Sequence, residues 1–156
     1  MTAVVPPLKY ERAPDGAPDR FRLTADTTFY WRDVPERFWR RAAVPVHVAA
    51  GCLMRSVTSD NKLELMIMIY EGYHASVSVA PDSPRSTPGA FPHDWIYEHS
   101  ARIAALWGCR VRDVLALADW WFLALLTFTG FRFRRTYFTI VRLLGYQFNR
   151  IFGANK

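Results

Sequence analysis

In Leu63-Glu64-Leu65-Met66-Ile67-Met68-Ile69 the residues Leu63, Leu65, Ile67 and Ile69 alternate with Glu64, Met66 and Met68. A period of two puts alternate side chains on one face of a β-strand. Glu71-Gly72 makes a tight connection, after which Tyr73, Ala75, Val77 and Val79 alternate with His74, Ser76 and Ser78. The pattern predicts a β-hairpin from about Lys62 to Ala80, its second strand wet on one face. Upstream, Val44–Val57 reads as a further strand region closed by the turn signal Ser59-Asp60-Asn61. Phe21–Trp31 carries the Phe, Thr, Tyr and Trp of a strand. Pro35 is placed to open a short helix through Phe38-Trp39.

Downstream the period changes. Residues 81–92 hold Pro81, Pro84, Pro88, Pro92 and Gly89, and read as a loop joining two halves. His93, Ile96, Tyr97, Ser100, Ile103, Ala104 and Trp107 then recur at helical spacing, and Gly108 stops the helix. A second helix is expected from about Arg112 to Phe128, ended by Gly130. A third is expected from about Arg134 to Phe152, with Tyr137, Ile140, Val141, Leu144 and Phe148 facing inward. The fold class is therefore α+β, with N-terminal antiparallel strands and a hairpin packed against three C-terminal helices. Residues 1–20, with Pro6-Pro7 and Ala13-Pro14-Asp15-Gly16-Ala17-Pro18, read as an extended Pro/Ala-rich arm without regular structure. Residues 21–156 form one domain, strand-rich over 21–80 and helical over 93–152.

A chain of 156 residues that is 51% apolar and 15% aromatic can bury one sizeable core, which excludes disorder. Cys52 and Cys109 are too few and too far apart for a disulfide framework, and read as reduced thiols. Met1–Pro7 lacks the basic start of a secretory signal, so synthesis in the cytoplasm is expected. The net charge of +6 is local. Residues 131–156 carry Arg132, Arg134, Arg135, Arg142, Arg150 and Lys156 with no acid, and the rest of the chain is balanced. Such a face suits an anionic partner; it is equally what a solvated helix terminus carries. Val114–Phe131 holds a single charge, Asp119, within 18 residues. A buried core helix is favoured over a membrane span, where a carboxylate costs about 2.5–3.5 kcal/mol.

The residues able to carry chemistry are His93, Asp94 and Asp119. A neutral imidazole with one or two carboxylates can hold a divalent ion, with His93 and Asp119 the candidate ligands, or act as an acid–base pair. Adjacent helical positions point about 100° apart, so His93 and Asp94 are not expected to share a site without help from Asp119 or the Ser86 loop. The alternative is structural. Asp94 would serve the free N–H groups of a first helical turn, and His93 would meet Asp119 in a buried pair pinning two helices. That reading is favoured, and no cofactor is expected with it. Phosphate-binding glycine loops, G-x-S-x-G and H-E-x-x-H do not occur.

Ser86 and Pro88, then His93-Asp94-Trp95-Ile96-Tyr97, then Ala118-Asp119 with Phe122, then Arg142-Leu143-Leu144-Gly145 form an ordered set. The set resembles a phage- and prophage-associated family of unknown function, whose members carry a Ser-x-Pro loop, a His-Asp-aromatic-φ-Tyr helix, an Ala-Asp helix and a basic final helix. The likeness covers about residues 84–150. The chain departs from it at Ser83, where the family's loop has an aspartate, and at Arg85, where a small residue is usual. The resemblance implies a phage-type structural or accessory protein: a minor virion component of tail, baseplate or head surface, made in the host cytoplasm and docking on other phage structural proteins. Two alternatives are a small metal-assisted hydrolase acting on the cell envelope and a membrane-active lysis or injection factor. Specific nucleic-acid binding is not expected.

Overall fold

The computed structural model describes residues 2–4, 6–14, 20–32, 34–39, 42, 44–76 and 83–152, with α5 side chains as far as position 145. Among these residues lie eight strands and five helices. They are β1 Thr2–Val4, β2 Tyr10–Arg12, β3 Arg20–Leu23, β4 Thr27–Arg32, α1 Glu36–Trp39, β5 Val46–Val48, β6 Gly51–Val57, β7 Leu63–Ile69, β8 His74–Ser76, α2 Thr87–Glu98, α3 Ser100–Trp107, α4 Val111–Phe128 and α5 Arg134–Phe152. The fold is α+β. A five-stranded sheet has the order β1-β4-β7-β6-β5 and a three-stranded sheet the order β2-β3-β8, antiparallel throughout.

The alternation in β7 holds from Leu65 onward, whereas at its start Leu63 is half-buried and Glu64 is buried beside Arg32. Leu65, Ile67 and Ile69 are wholly buried, as are Phe29 and Trp31 opposite them on β4. The hairpin, however, is β6–β7, closed at Ser59-Asp60-Asn61 by Thr58 N–H donating to the Lys62 carbonyl (2.8 Å), with Asn61 in the left-handed region at φ 61°. The expected Lys62–Ala80 hairpin does not form. β8 instead pairs with β3 in the small sheet, and positions 77–80 lie outside the described residues. The cause is a shared corner. Thr24–Asp26 and Tyr70–Tyr73 turn side by side, with Glu71 N–H donating to Asp26 Oδ1 (2.8 Å) and Gly72 N–H to the Leu23 carbonyl (2.9 Å). Each chain segment therefore leaves one sheet for the other.

The arm is also corrected. β1 is an edge strand of the large sheet with Ala3 wholly buried, and β2 pairs with β3; positions 15–19 lie outside the described residues. Pro6, Pro7 and Pro14 fall outside the short strands, where no ladder N–H is needed.

Four helices, not three, follow the strands. α2 begins at Thr87, inside the expected loop. Pro88 sits in its first turn, where an N–H would have no helical partner anyway. Pro92 gives up one interior bond, and the burial of Phe91 and Pro92 offsets it. Gly89 is required by packing, since a Cβ there would lie 2.8 Å from Phe122 Cδ2 on α4. The expected first helix breaks at His99, so α3 starts at Ser100 and ends at Gly108 in the left-handed conformation (φ 61°).

α4 is the central helix. Leu117, Ala118, Trp121 and Leu125 are buried, and Trp121 stacks on Trp31 of β4 with ring centroids 5.9 Å apart. Burying each such large side chain contributes about 1.5–3 kcal/mol. No helix among the described residues is long and apolar enough to cross a membrane. α5 packs on α4 through Val141, half-buried Tyr137 and Phe138, whose ring lies 5.0 Å from Trp120. Its inward face is rotated from expectation. Leu144 is 43% exposed, Gly145 faces Tyr97 instead, and the Phe148 side chain lies outside the described residues.

Candidate functional site

α2 presents His93, Asp94 and Tyr97 toward α4, which carries Asp119. The α2–α4 contact is close because Gly89 lets Phe122 approach. His93 Nδ1 lies 2.9 Å from Asp94 Oδ1, and His93 Nε2 lies 3.4 Å from Asp119 Oδ1. The second contact is long for a hydrogen bond and acts chiefly through charge. Tyr97 Oη donates to Asp119 Oδ1 at 2.7 Å, and the other Asp94 oxygen accepts the Ser76 N–H of β8 at 2.8 Å. The imidazole lies between the rings of Tyr97 (4.3 Å) and Phe122 (5.3 Å).

Two expectations change here. Asp94 is not in a first helical turn, because α2 starts at Thr87. Adjacent positions do not keep His93 and Asp94 apart either. The Asp94 carboxylate is drawn across by the β8 N–H on one oxygen and reaches Nδ1 with the other.

The side chains of His93, Asp94 and Asp119 are 12%, 29% and 5% exposed. Burial pulls the His93 pKa down, but the hold of Asp119 and then of Asp94 outweighs it and raises the group from 6.5 to about 9. Burial, followed by the Asp119 charge, pushes the Tyr97 phenol up. The ring is thus an imidazolium held from both sides. In that form both ring nitrogens carry a proton and act as donors. Among the described residues, no group of three or more His, Cys, Asp or Glu is arranged to hold a metal ion.

Ser86 does not join the cluster. Its hydroxyl lies 2.9 Å from Ser83 Oγ, while Ser86 N–H donates to Ser83 Oγ (3.1 Å) and Thr87 N–H to the Ser83 carbonyl (3.0 Å). Ser83 therefore closes the turn that leads into α2 with its own hydroxyl and carbonyl. Pro88 and Gly89 shape the same turn. His47 and His74 are exposed, and Glu98 accepts from Tyr73 Oη at 3.2 Å.

Gly145 has a role that its motif did not disclose. A Cβ there would lie 2.9 Å from Tyr97 Cε1, so α5 rests directly on the ring that clamps His93. Contacts thus run from α5 through Tyr97, Asp119, His93 and Asp94 to β8. The backbone end of this chain of contacts leaves no pattern in the sequence.

On α5 and its lead-in, Arg132, Arg135 and Arg142 are exposed and Arg134 half-buried; the Arg150 side chain lies outside the described residues. Arg132 lies over Phe133 and Arg142 over Phe138, each 5.8 Å from the ring centroid. Phe133 (57%) and Leu143 (67%) are exposed beside them. Comparison with known protein families, with curated proteins and with solved structures finds no match for the chain.

Proposed function

We propose that the chain is a non-catalytic docking protein, a phage-type structural or accessory component that joins a particle through the outer face of α5. The observation that carries this reading is that face: arginines with no acid in residues 131–156, set beside exposed Phe133 and Leu143. Exposed large apolar groups with cations around them fit a surface that another molecule covers. The likeness over residues 84–150 supplies the phage context, with other particle proteins as partners and no specific nucleic acid.

The His93 cluster supports the same reading from the opposite direction. A stacked imidazolium between two carboxylates ties α2, α4 and β8 together and, with its pKa raised to about 9, keeps its proton at neutral pH. One observation favours the hydrolase alternative: Tyr97 and Asp119 reach the wall of an open hollow of about 630 Å³. A His93→Ala variant that folds separates the two, because docking survives it and acid–base turnover does not.

The test is where the protein goes. Particles released from a producing culture are banded on a density gradient and probed with antibody against the chain. The docking reading expects the chain to co-band with particles at a fixed ratio and to lose this after Arg132, Arg135 and Arg142 are replaced by Glu. A chain found wholly outside the particle band overturns it.

A further inference from the structure

Along the outer side of α4 two open hollows, of about 310 and 630 Å³, adjoin. They share Asp113, Ala116 and Arg142, so they form one trough. Its floor is Ala116, Leu115 and the half-buried ring of Trp120. Its rim carries Arg37 from α1, Arg112 from α4 and Arg142 from α5, all exposed.

The charge of this trough is not cancelled from within. Asp113 is engaged by Arg110, with Nε 3.3 Å from Oδ2 and Nη2 3.3 Å from Oδ1. Asp119 is engaged by Tyr97 and His93. Among the described residues no carboxylate pairs with Arg37, Arg112 or Arg142. Arg37 instead has its guanidinium carbon over the rings of Phe38 (4.7 Å) and Trp120 (5.3 Å), which holds it at the rim with donors still available.

We infer that this trough is the seat of an acidic peptide segment of a protein partner, carboxylates on the three arginines and one apolar side chain on Trp120. Three features select that occupant. The cations stand on three separate elements, so the bound charge is spread along a chain and not concentrated in one group. A guanidinium fork matches a carboxylate in two-point geometry. The trough is open along its length, whereas a small-molecule site encloses most of its ligand. The inference rests on the docking reading and names the chemistry of the partner.

The test is fluorescence anisotropy with the full chain and a labelled twelve-residue Asp/Glu peptide carrying one Phe. Saturable, salt-sensitive binding is expected. Arg142→Glu should weaken it by about tenfold and the Arg37→Glu, Arg112→Glu, Arg142→Glu triple by about a hundredfold or more. Exchanging the peptide's Phe for Ser should weaken it by about fivefold. Arg55→Glu, at an exposed position of β6 that lines neither hollow, should change nothing, and all variants are checked for native melting. Absence of binding, equal loss with Arg55→Glu, or stronger arginine-dependent binding to phosphatidylglycerol vesicles or to duplex DNA than to the peptide overturns the inference. A chain that co-bands with particles yet ignores the peptide refutes the trough alone; a chain that does neither refutes the docking reading as well.

Discussion

Replacing Asp119 by Asn keeps the shape of the buried cluster and removes half of the negative charge that brackets His93. The size of the effect follows from the imidazole. Its pKa of about 9 in the fold, against 6.5 when free, corresponds to on the order of 3 kcal/mol in favour of the folded state. A raised value means that the native state holds a proton the unfolded chain has released. That stabilisation is complete below pH 6.5, declines as pH rises, and is gone above about pH 9. The amide oxygen introduced by Asp119→Asn still accepts from Tyr97, so the substitution takes the charge contribution alone, about 1–2 kcal/mol at pH 6. Urea unfolding followed by circular dichroism between pH 5 and 10 reads this directly. The wild-type protein should lose stability between pH 6.5 and 9, and Asp119→Asn should begin lower and lose less. A flat wild-type profile across that window, or a variant superimposable on wild type at pH 6, refutes the picture of a clamped imidazolium.

Gly145→Ala should destabilise the fold. The added methyl meets Tyr97, which cannot yield while bonded to Asp119, and overpacking of about 1–3 kcal/mol exceeds the roughly 1 kcal/mol gained in helix propensity. Thermal melting checks the sign. Tyr97→Phe removes the 2.7 Å bond to a buried carboxylate and should cost about 1–2 kcal/mol in urea unfolding. Trp121→Ala empties the contact with Trp31 and should cost about 3–5 kcal/mol, read as a lowered urea midpoint.

The α+β division was legible because its two periods are strong and local. Leu65, Ile67 and Ile69 alternate without interruption, and α4 is apolar over most of its surface. The same locality explains the misreadings. β1, β2 and β8 have three residues each, too few to show a period, and β1 and β8 pair with strands far off in the chain. The alternation of Tyr73 and Ala75 with His74 and Ser76 marks a strand without naming its partner. The turn at Glu71-Gly72 looks identical whether the next strand folds back or crosses to another sheet, and here Asp26 decides it. Pro88 and Pro92 announced a loop, although one is harmless in a first turn and the other is carried by burial. In the cluster, His93 and Asp119 were visible as residue types in apolar surroundings. The Ser76 N–H was not, since a backbone amide has no letter of its own, and neither was the clamp of Gly145 on Tyr97.

The corner where both sheets exchange strands has a kinetic consequence. Of the pairings around it, β6–β7 closes a short loop, whereas β4 must find β7 and β3 must find β8, with Arg20 opposite Ser76. Contacts of such long sequence separation slow folding, because loop-closure entropy is lost before packing repays it. The hairpin is therefore the early structure, and the small sheet closes late, once α2 stands in place to offer Asp94 to the last strand. Refolding is expected in the range of about milliseconds to seconds, with the free edge of β7 open to association until β4 pairs with it.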